Sequence, residues 1–189
     1  MINIAAKAVF DFDKARQRIK AAKSDQELLQ AVVDAPFDQK VAATLMFLGI
    51  TVLLLVNKKT GTIDRVALSD TDLAKNTLEV SLVPFEAIKI PLGEKNNIIA
   101  QAIETSQPQD TTDWRFLFCP VLNAAAARIN QASAGIAYSA VYPLKVKDGG
   151  AMIFSYFQYE EGIEESQKAF MKRYANVVSQ SLSGLNLNF

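Results

Sequence analysis

The chain has 189 residues, half of them hydrophobic and 21% charged, a length and composition typical of one globular domain with a full core. Its 20 basic and 20 acidic residues cancel, so we expect no extended nucleic-acid surface, which would need clustered lysine and arginine. The one dense basic run, residues 14–23, is interleaved with alanine and isoleucine and is predicted to be a solvated helix face.

The scarcity of cysteine and histidine excludes several kinds of chemistry. Cys119 is the single cysteine, and the chain has no histidine. An internal disulfide, a zinc site built on paired cysteines, and catalysis by serine–histidine or cysteine–histidine pairs are therefore excluded. We expect no cofactor and no metal. The first residues lack the charged start of a signal peptide, so we expect a cytoplasmic protein.

The chain begins with a predicted amphipathic helix over 2–22, so that residues 1–23 precede a domain over 24–189. Ser24 and Glu27 have the spacing of a capping box, which predicts that a second helix starts there.

An uncharged run over 41–56 is the one segment that resembles a membrane span. It has sixteen residues, whereas a spanning helix needs about 20. The run contains Gly49 and then turns to β-branched residues, which favours a buried helix ending near Leu48 and a buried strand over 50–56. We therefore expect no membrane association, with a spanning helix as the alternative.

Residues 135–159 are predicted to form a β-hairpin around which the other elements are arranged. Asp148, Gly149 and Gly150 suit its tight turn, and neither face of the two strands carries a charge before Lys145. Both faces of the sheet are therefore expected to be covered. A polar, irregular loop is predicted over 69–84, with a helical turn over 72–75 as the alternative. In chain order, the patterns predict helices over 2–22, 25–34, 38–48, 95–105, 122–131 and 163–185, and strands over 50–56, 62–68, 87–92 and twice within 135–159.

The order of these elements resembles that of the GAF domain, a small-molecule sensory fold. The stretches that carry the resemblance lie within residues 24–185. They are SDQELLQAVVD, TVLLLVNKKTGTIDRVAL, IKIPLGEKNNIIAQAIETSQPQDTTDW, AGIAYSAVYPLKVKDGGAMIFSY and EESQKAFMKRYANVVSQSL. The resemblance implies an α+β fold, with a central antiparallel sheet of five or six strands. Terminal helices would cover one face, and loops with short helices would enclose a pocket on the other.

The sequence departs from the GAF members of known chemistry. The region 143–148 lacks the signature of cyclic-nucleotide binders. Bilin-binding members attach the pigment through a cysteine that usually has a histidine beside it, whereas Cys119 is followed by Pro120. The member that reduces free methionine sulfoxide relies on several cysteines, and one cysteine cannot form an internal disulfide.

Within this resemblance, the segment from Asp110 to Asn130 would lie over the sheet and supply a ligand site. Each candidate also has a structural alternative: Trp114 as a core plug, Asp113 as a helix cap, the arginines as surface ion pairs, and the tyrosines as ordinary core residues. The candidate ligand-binding residues are Asp113, Trp114, Arg115, Phe116, Arg128, Tyr138, Tyr142 and Tyr156.

These features favour a sensory or regulatory module that is not an enzyme. It would bind a small molecule, form a homodimer through its terminal helices and act on an unidentified signalling protein. The near-heptad stripe of helix 163–185, with Phe170, Tyr174 and Val177, motivates the dimer. The alternative to the dimer is that helix 2–22 folds back on helix 163–185 within one chain. The alternative function is an interaction domain whose own aromatic side chains fill the pocket. A pocket of about 300 Å³ or more would favour the first hypothesis.

Overall fold

A computed structural model describes residues 9–44, 46–157 and 165–184. Within these ranges the helices are α1 (Phe12–Lys20), α2 (Asp25–Asp34), α3 (Lys40–Thr44), α4 (Asp72–Val80), α5 (Ile98–Thr105), α6 (Arg115–Phe118), α7 (Ala124–Ser133) and α8 (Glu165–Leu182), with a 3₁₀ turn at Phe85–Ala87. The strands are β1 (Leu48–Asn57), β2 (Thr62–Leu68), β3 (Lys89–Pro91), β4 (Gln109–Thr111), β5 (Tyr138–Leu144) and β6 (Gly150–Tyr156).

The strands form one six-stranded antiparallel sheet in the order β3-β2-β1-β6-β5-β4. This confirms the predicted α+β architecture and the hairpin within 135–159. The predicted strand over 50–56 is also confirmed, as part of β1, so the uncharged run does not continue a helix. Among the described helices, none is long and apolar enough to cross a membrane.

The two central strands are buried along their whole length, as the uncharged faces predict. Every residue of β1 and of β6 is buried. The turn that leads into β6 uses glycine for two separate reasons. Gly149 has φ +96°, and a Cβ on Gly150 would lie 2.7 Å from the backbone oxygen of Leu54. The hairpin can therefore lie this close to β1 only with glycine at these positions.

Helices α1, α2 and α8 cover one face of the sheet, which we call the helical face. Phe154 of β6 lies against Phe170 and Tyr174 of α8, with ring centroids 6.0 and 6.2 Å apart. Tyr174 Oη donates a 2.8 Å hydrogen bond to the carbonyl of Val32, in the last turn of α2. Since the last carbonyls of a helix lack intrahelical partners, this bond both satisfies α2 and ties it to α8.

Helices α4 to α7 and the 3₁₀ turn cover the opposite face, which we call the loop face. Asn97 is fully buried on this face, and its side-chain oxygen accepts hydrogen bonds from the backbone N–H groups of Ile99 and Ala100. Its amide nitrogen donates to the carbonyls of Leu117 (2.6 Å) and Cys119 (3.1 Å). One side chain thus caps α5 and fixes the segment that carries α6.

Several predicted elements differ from the structure. The helical turn considered over 72–75, within the loop predicted over 69–84, is the longer helix α4. Thr71 caps this helix by accepting a hydrogen bond from the N–H of Ala74. The helix predicted over 38–48 is the short α3, since β1 takes over from Leu48. Helices α5 and α7 also begin two or three residues later than predicted, at positions set by their asparagine caps.

The start of α2 follows the capping box in part. The Ser24 hydroxyl accepts a 3.2 Å hydrogen bond from the N–H of Glu27, as predicted. The Glu27 carboxylate accepts a 2.7 Å hydrogen bond from the N–H of Lys23, one residue before the cap.

The expectation that the apolar stripe of helix 163–185 needs a helix from a second chain is wrong. The stripe formed by Phe170, Tyr174 and Val177 is buried within the chain, against the sheet and α1, so it does not need a partner helix. The described part of the N-terminal helix is also shorter than predicted, because Asp11 caps a helix that begins at Phe12. Residues 1–8, 158–164 and 185–189, which include the ends of both predicted terminal helices, lie outside the described residues.

Two buried tyrosines offer a matched test of this core. Tyr174 Oη is hydrogen-bonded, whereas Tyr156 Oη is buried and has no hydrogen-bond partner within the described part of the chain. Tyr174→Phe should lower the free energy of unfolding by about 1–3 kcal/mol, because the Val32 carbonyl loses its partner. Tyr156→Phe should leave it unchanged or raise it. Urea unfolding of both variants measures the difference, and an equal loss in the two would contradict the assignment.

Candidate functional site

Trp114 is anchored within the loop face. The residue is only 4% exposed, and its indole N–H donates a 2.9 Å hydrogen bond to Ser139 Oγ on β5. Ser139 Oγ lies 2.8 Å from Ser155 Oγ on β6. The backbone N–H of Trp114 donates to the side-chain oxygen of Gln131, on α7, at 2.9 Å. The indole is therefore bonded to β5 and linked through Ser139 to β6, while α7 holds the backbone of Trp114.

A small cavity, which we call the inner cavity, lies beside Trp114. It has a volume of about 30 Å³, which is enough for about one water molecule and a tenth of the volume predicted for a metabolite pocket. Phe118 packs edge-on against Trp114, with centroids 5.3 Å apart, and both rings line the cavity. The predicted role of Trp114 as a plug matches this packing.

Asp113 and Arg115 bind each other. The Asp113 carboxylate accepts a 2.6 Å hydrogen bond from Arg115 Nε and a 2.9 Å bond from the backbone N–H of Arg115, at the start of α6. This hydrogen bonding lowers the pKa of Asp113 and raises the pKa of Arg115. Both predicted alternatives, the cap and the ion pair, are thus present in one contact. The exposed Arg128 only adds a weaker attraction to Asp113.

Phe116 lies apart from the inner cavity. Its side chain is 48% exposed, and the Arg115 guanidinium lies 5.8 Å from its ring centroid. On a helix of four residues, successive side chains point in different directions, so Leu117 and Phe118 take the buried positions.

The three tyrosines predicted as a pocket wall lie on the other side of the sheet. Tyr138, Tyr142 and Tyr156 pack in the helical-face core, whereas Trp114 belongs to the core of the loop face. Because side chains alternate along a strand, the odd-numbered neighbours Ser139 and Ser155 face Trp114 instead. Burial raises the pKa of Tyr142, and raises that of Tyr156 well above its usual value, so both phenols stay neutral. The eight candidates therefore do not form one site.

Arg65, on β2, is a polar residue at the loop face that the sequence analysis did not single out. Its Nε and Nη2 both donate to the carbonyl oxygen of Phe85, at 3.1 and 2.8 Å. The guanidinium carbon lies 4.1 Å from the Phe85 ring centroid and 5.5 Å from that of Phe118. The sequence signal for this residue was an arginine between the apolar residues of the predicted strand TIDRVAL.

An open groove of about 430 Å³, which we call the edge groove, lies at the end of β2. Strand β3 pairs only with Thr62, Ile63 and Asp64, so the rest of β2 is an edge. The groove runs between α2 and α4. It is lined by Gln30, Asp34, Arg65, Val66, Ala67, Leu68, Ser69, Asp70, Ala74, Lys75, Leu78, Phe85 and Glu86. Within the described ranges, no cluster of acidic or cysteine side chains could hold a metal ion.

Known proteins resemble this chain in structure but not in sequence. No family model and no curated protein matches the sequence. The GAF domain of a phosphoenolpyruvate-protein phosphotransferase from Acinetobacter is similar in structure, with TM-score 0.60 and 11% identity over 90% of this chain and 89% of that one. A segment of a methyl-accepting chemotaxis protein is also similar, with TM-score 0.59 and 13% identity over 88% of this chain and 93% of that one.

Another similar structure is fRMsr of Staphylococcus aureus, in its reduced form, with TM-score 0.56 and 12% identity over 90% of this chain and 91% of that one. At identities of 11–13%, these similarities concern the fold alone. By its fold, the chain is a GAF-like domain.

The hydrogen bond of Trp114 can be tested directly because Trp114 is the single tryptophan. Ser139→Ala removes the acceptor and should lower the free energy of unfolding by about 1–3 kcal/mol, since the buried indole N–H is left unpaired. The fluorescence emission of the folded variant should shift. Ser183→Ala, at an exposed position, is the matched control and should change neither quantity. Equal behaviour of the two variants would contradict the anchored indole.

Proposed function

We propose that this GAF-like domain is a sensory or regulatory module that binds a small molecule and has no catalytic activity of its own. The observation that carries the proposal is the relation between the two spaces on the loop face. Arg65, Leu68, Leu78 and Phe85 line both the edge groove and the inner cavity. A ligand in the groove would therefore touch the side chains that close the cavity, and the groove volume exceeds the expected 300 Å³.

The edge groove also touches the helical layer, which supports a regulatory role. Asp34, in the last turn of α2, accepts from the backbone N–H of Asp70 at 2.8 Å and from Gln30 Nε2 at 3.0 Å. Gln30 Nε2 also donates to the carbonyl of Leu68, at 2.9 Å. Helix α2 is tied to α8 through Val32 and Tyr174. A ligand that moves these contacts would change how α2 packs against the sheet.

A non-enzymatic role is supported by the residue types. The sequence has no histidine and one cysteine. We therefore do not extend to this chain the activity of the free methionine-R-sulfoxide reductase from Thermoplasma acidophilum, a further similar structure with TM-score 0.51 and 11% identity. Asp113 and Arg115, the charged pair nearest Trp114, are bound to each other. We propose a cytoplasmic location, no metal or cofactor, and an output through a separate signalling protein.

The second candidate is an interaction domain with a self-filled pocket. The observation that favours it is the inner cavity itself, which Trp114 and Phe118 reduce to about 30 Å³. In that case, the loop face would be structural and the surface alone would be functional.

Native mass spectrometry of the purified protein separates the two candidates. Our proposal predicts an added mass of a small molecule that is lost on denaturation, or a rise in melting temperature with at least one member of a metabolite library. Trp114→Ala should weaken any ligand that reaches the inner cavity, with stacking worth about 0.5–1.5 kcal/mol. Unchanged affinity in a folded variant would remove Trp114 from the site, and a library without a single binder would favour the self-filled domain.

The homodimer through the terminal helices stays part of the proposal. The exposed side of α8 is polar, with Lys168, Lys172, Arg173 and Asn176, so the contact would not be a buried apolar bundle. Light scattering at micromolar concentration should give the mass of two chains. A monomer at every concentration would overturn the dimer while leaving ligand binding untouched.

A further inference from the structure

We propose that the edge groove binds a small monocarboxylate and that Arg65 is the residue that holds its carboxylate. This deepens the proposed function by naming the ligand class, and it rests on that function only for the regulatory consequence of binding. None of the residues that the sequence suggested as ligand contacts belongs to this groove.

The first step of the argument is the hydrogen bonding of the guanidinium. An arginine side chain has five N–H donors. The Nε side of Arg65 is used, because Nε and Nη2 both donate to the Phe85 carbonyl. The second N–H of Nη2 and both of Nη1 form no side-chain hydrogen bond among the described residues. This end of the fork has the geometry that receives the two oxygens of a carboxylate.

The second step is the charge. Within the described ranges, Arg65 makes no ion pair, and it lies partly buried against the Phe85 and Phe118 rings. Burial lowers the pKa of Arg65 to about 9, and the attraction of Glu86 is too weak to restore it. A cation that has lost much of its water and lacks a contacting anion is stabilised when a bound anion replaces that water.

The third step decides between one negative charge and several. The groove is lined by two basic residues, Arg65 and Lys75, and three acidic ones, Asp34, Asp70 and Glu86. Lys75 is already paired with Asp70, at 2.8 Å. A phosphate with two charges would meet repulsion from the remaining acids, whereas a monocarboxylate can pair with Arg65 alone. Apolar side chains, including Ala74, Leu78 and Phe85, provide contact for an uncharged body.

Glu86 is the competitor that makes the proposal testable. It is exposed, lines the groove, and attracts Arg65 without contacting it. Its charge should repel an incoming carboxylate, so its removal should strengthen binding. Glu79, an exposed acid on α4 that does not line the groove, is the matched control.

The test is to titrate the full chain with benzoate and to measure binding by calorimetry and by the rise in melting temperature. Benzamide and inorganic phosphate are the comparison probes. Benzoate should bind, and benzamide and phosphate should bind at least about tenfold more weakly, since a charge-assisted bidentate contact is lost or opposed. Arg65→Lys, which keeps the charge and loses the fork, should weaken benzoate to a similar degree. Arg18→Lys, the same change at an exposed arginine outside the groove, should not.

Glu86→Gln should tighten benzoate by about two- to fivefold, and Glu79→Gln should have no effect. This arm does not depend on whether Arg65→Lys folds. Equal affinity of the wild type and Arg65→Lys for benzoate would overturn the assignment of Arg65. So would an affinity for benzoate that Glu86→Gln leaves unchanged. If benzoate does not bind while native mass spectrometry finds another ligand, the proposed carboxylate site is wrong and the proposed function stands.

Discussion

The structure depends on the burial of β1 and β6 on both faces. A sheet with one wet face can be covered by a single layer, but these two strands have no residue that faces water. The chain must therefore supply two layers, and it does so with α1, α2 and α8 on one side and with α4 to α7 on the other. Among the described residues, the buried side chains of the two faces form two separate clusters, with the sheet between them.

The two layers are fixed in different ways, and this difference shapes what each can do. On the helical face, aromatic rings fill the space, and Tyr174 and Thr51 satisfy the last carbonyls of α2 by hydrogen bonds to Val32 and Val33. On the loop face, short helices need individual polar anchors, such as Asn97 and the bond from Trp114 to Ser139. Short elements joined by loops leave gaps at their edges, which is where the edge groove lies.

The edge groove joins these layers because β3 is short. It pairs with three residues of β2, so the remaining part of that strand has α2 on one side and α4 on the other. Arg65 faces into the loop side of this junction, while Gln30 and Asp34 approach from the helical side. A single bound molecule would contact both layers, which is the physical basis for linking binding to the helices.

Local patterns in the sequence determined the hairpin around Gly149, the capped start of α2 at Ser24, and the fully buried β1, because each depends on residues close in the chain. They also predicted the GAF-like order of elements and excluded histidine chemistry. The sequence did not separate the two faces of the sheet, since alternation along β5 groups Tyr138 with Tyr142 but does not say which layer covers them. Tertiary packing alone decided that Trp114 meets Ser139 rather than the tyrosines, and that Arg65 reaches Phe85 across twenty residues.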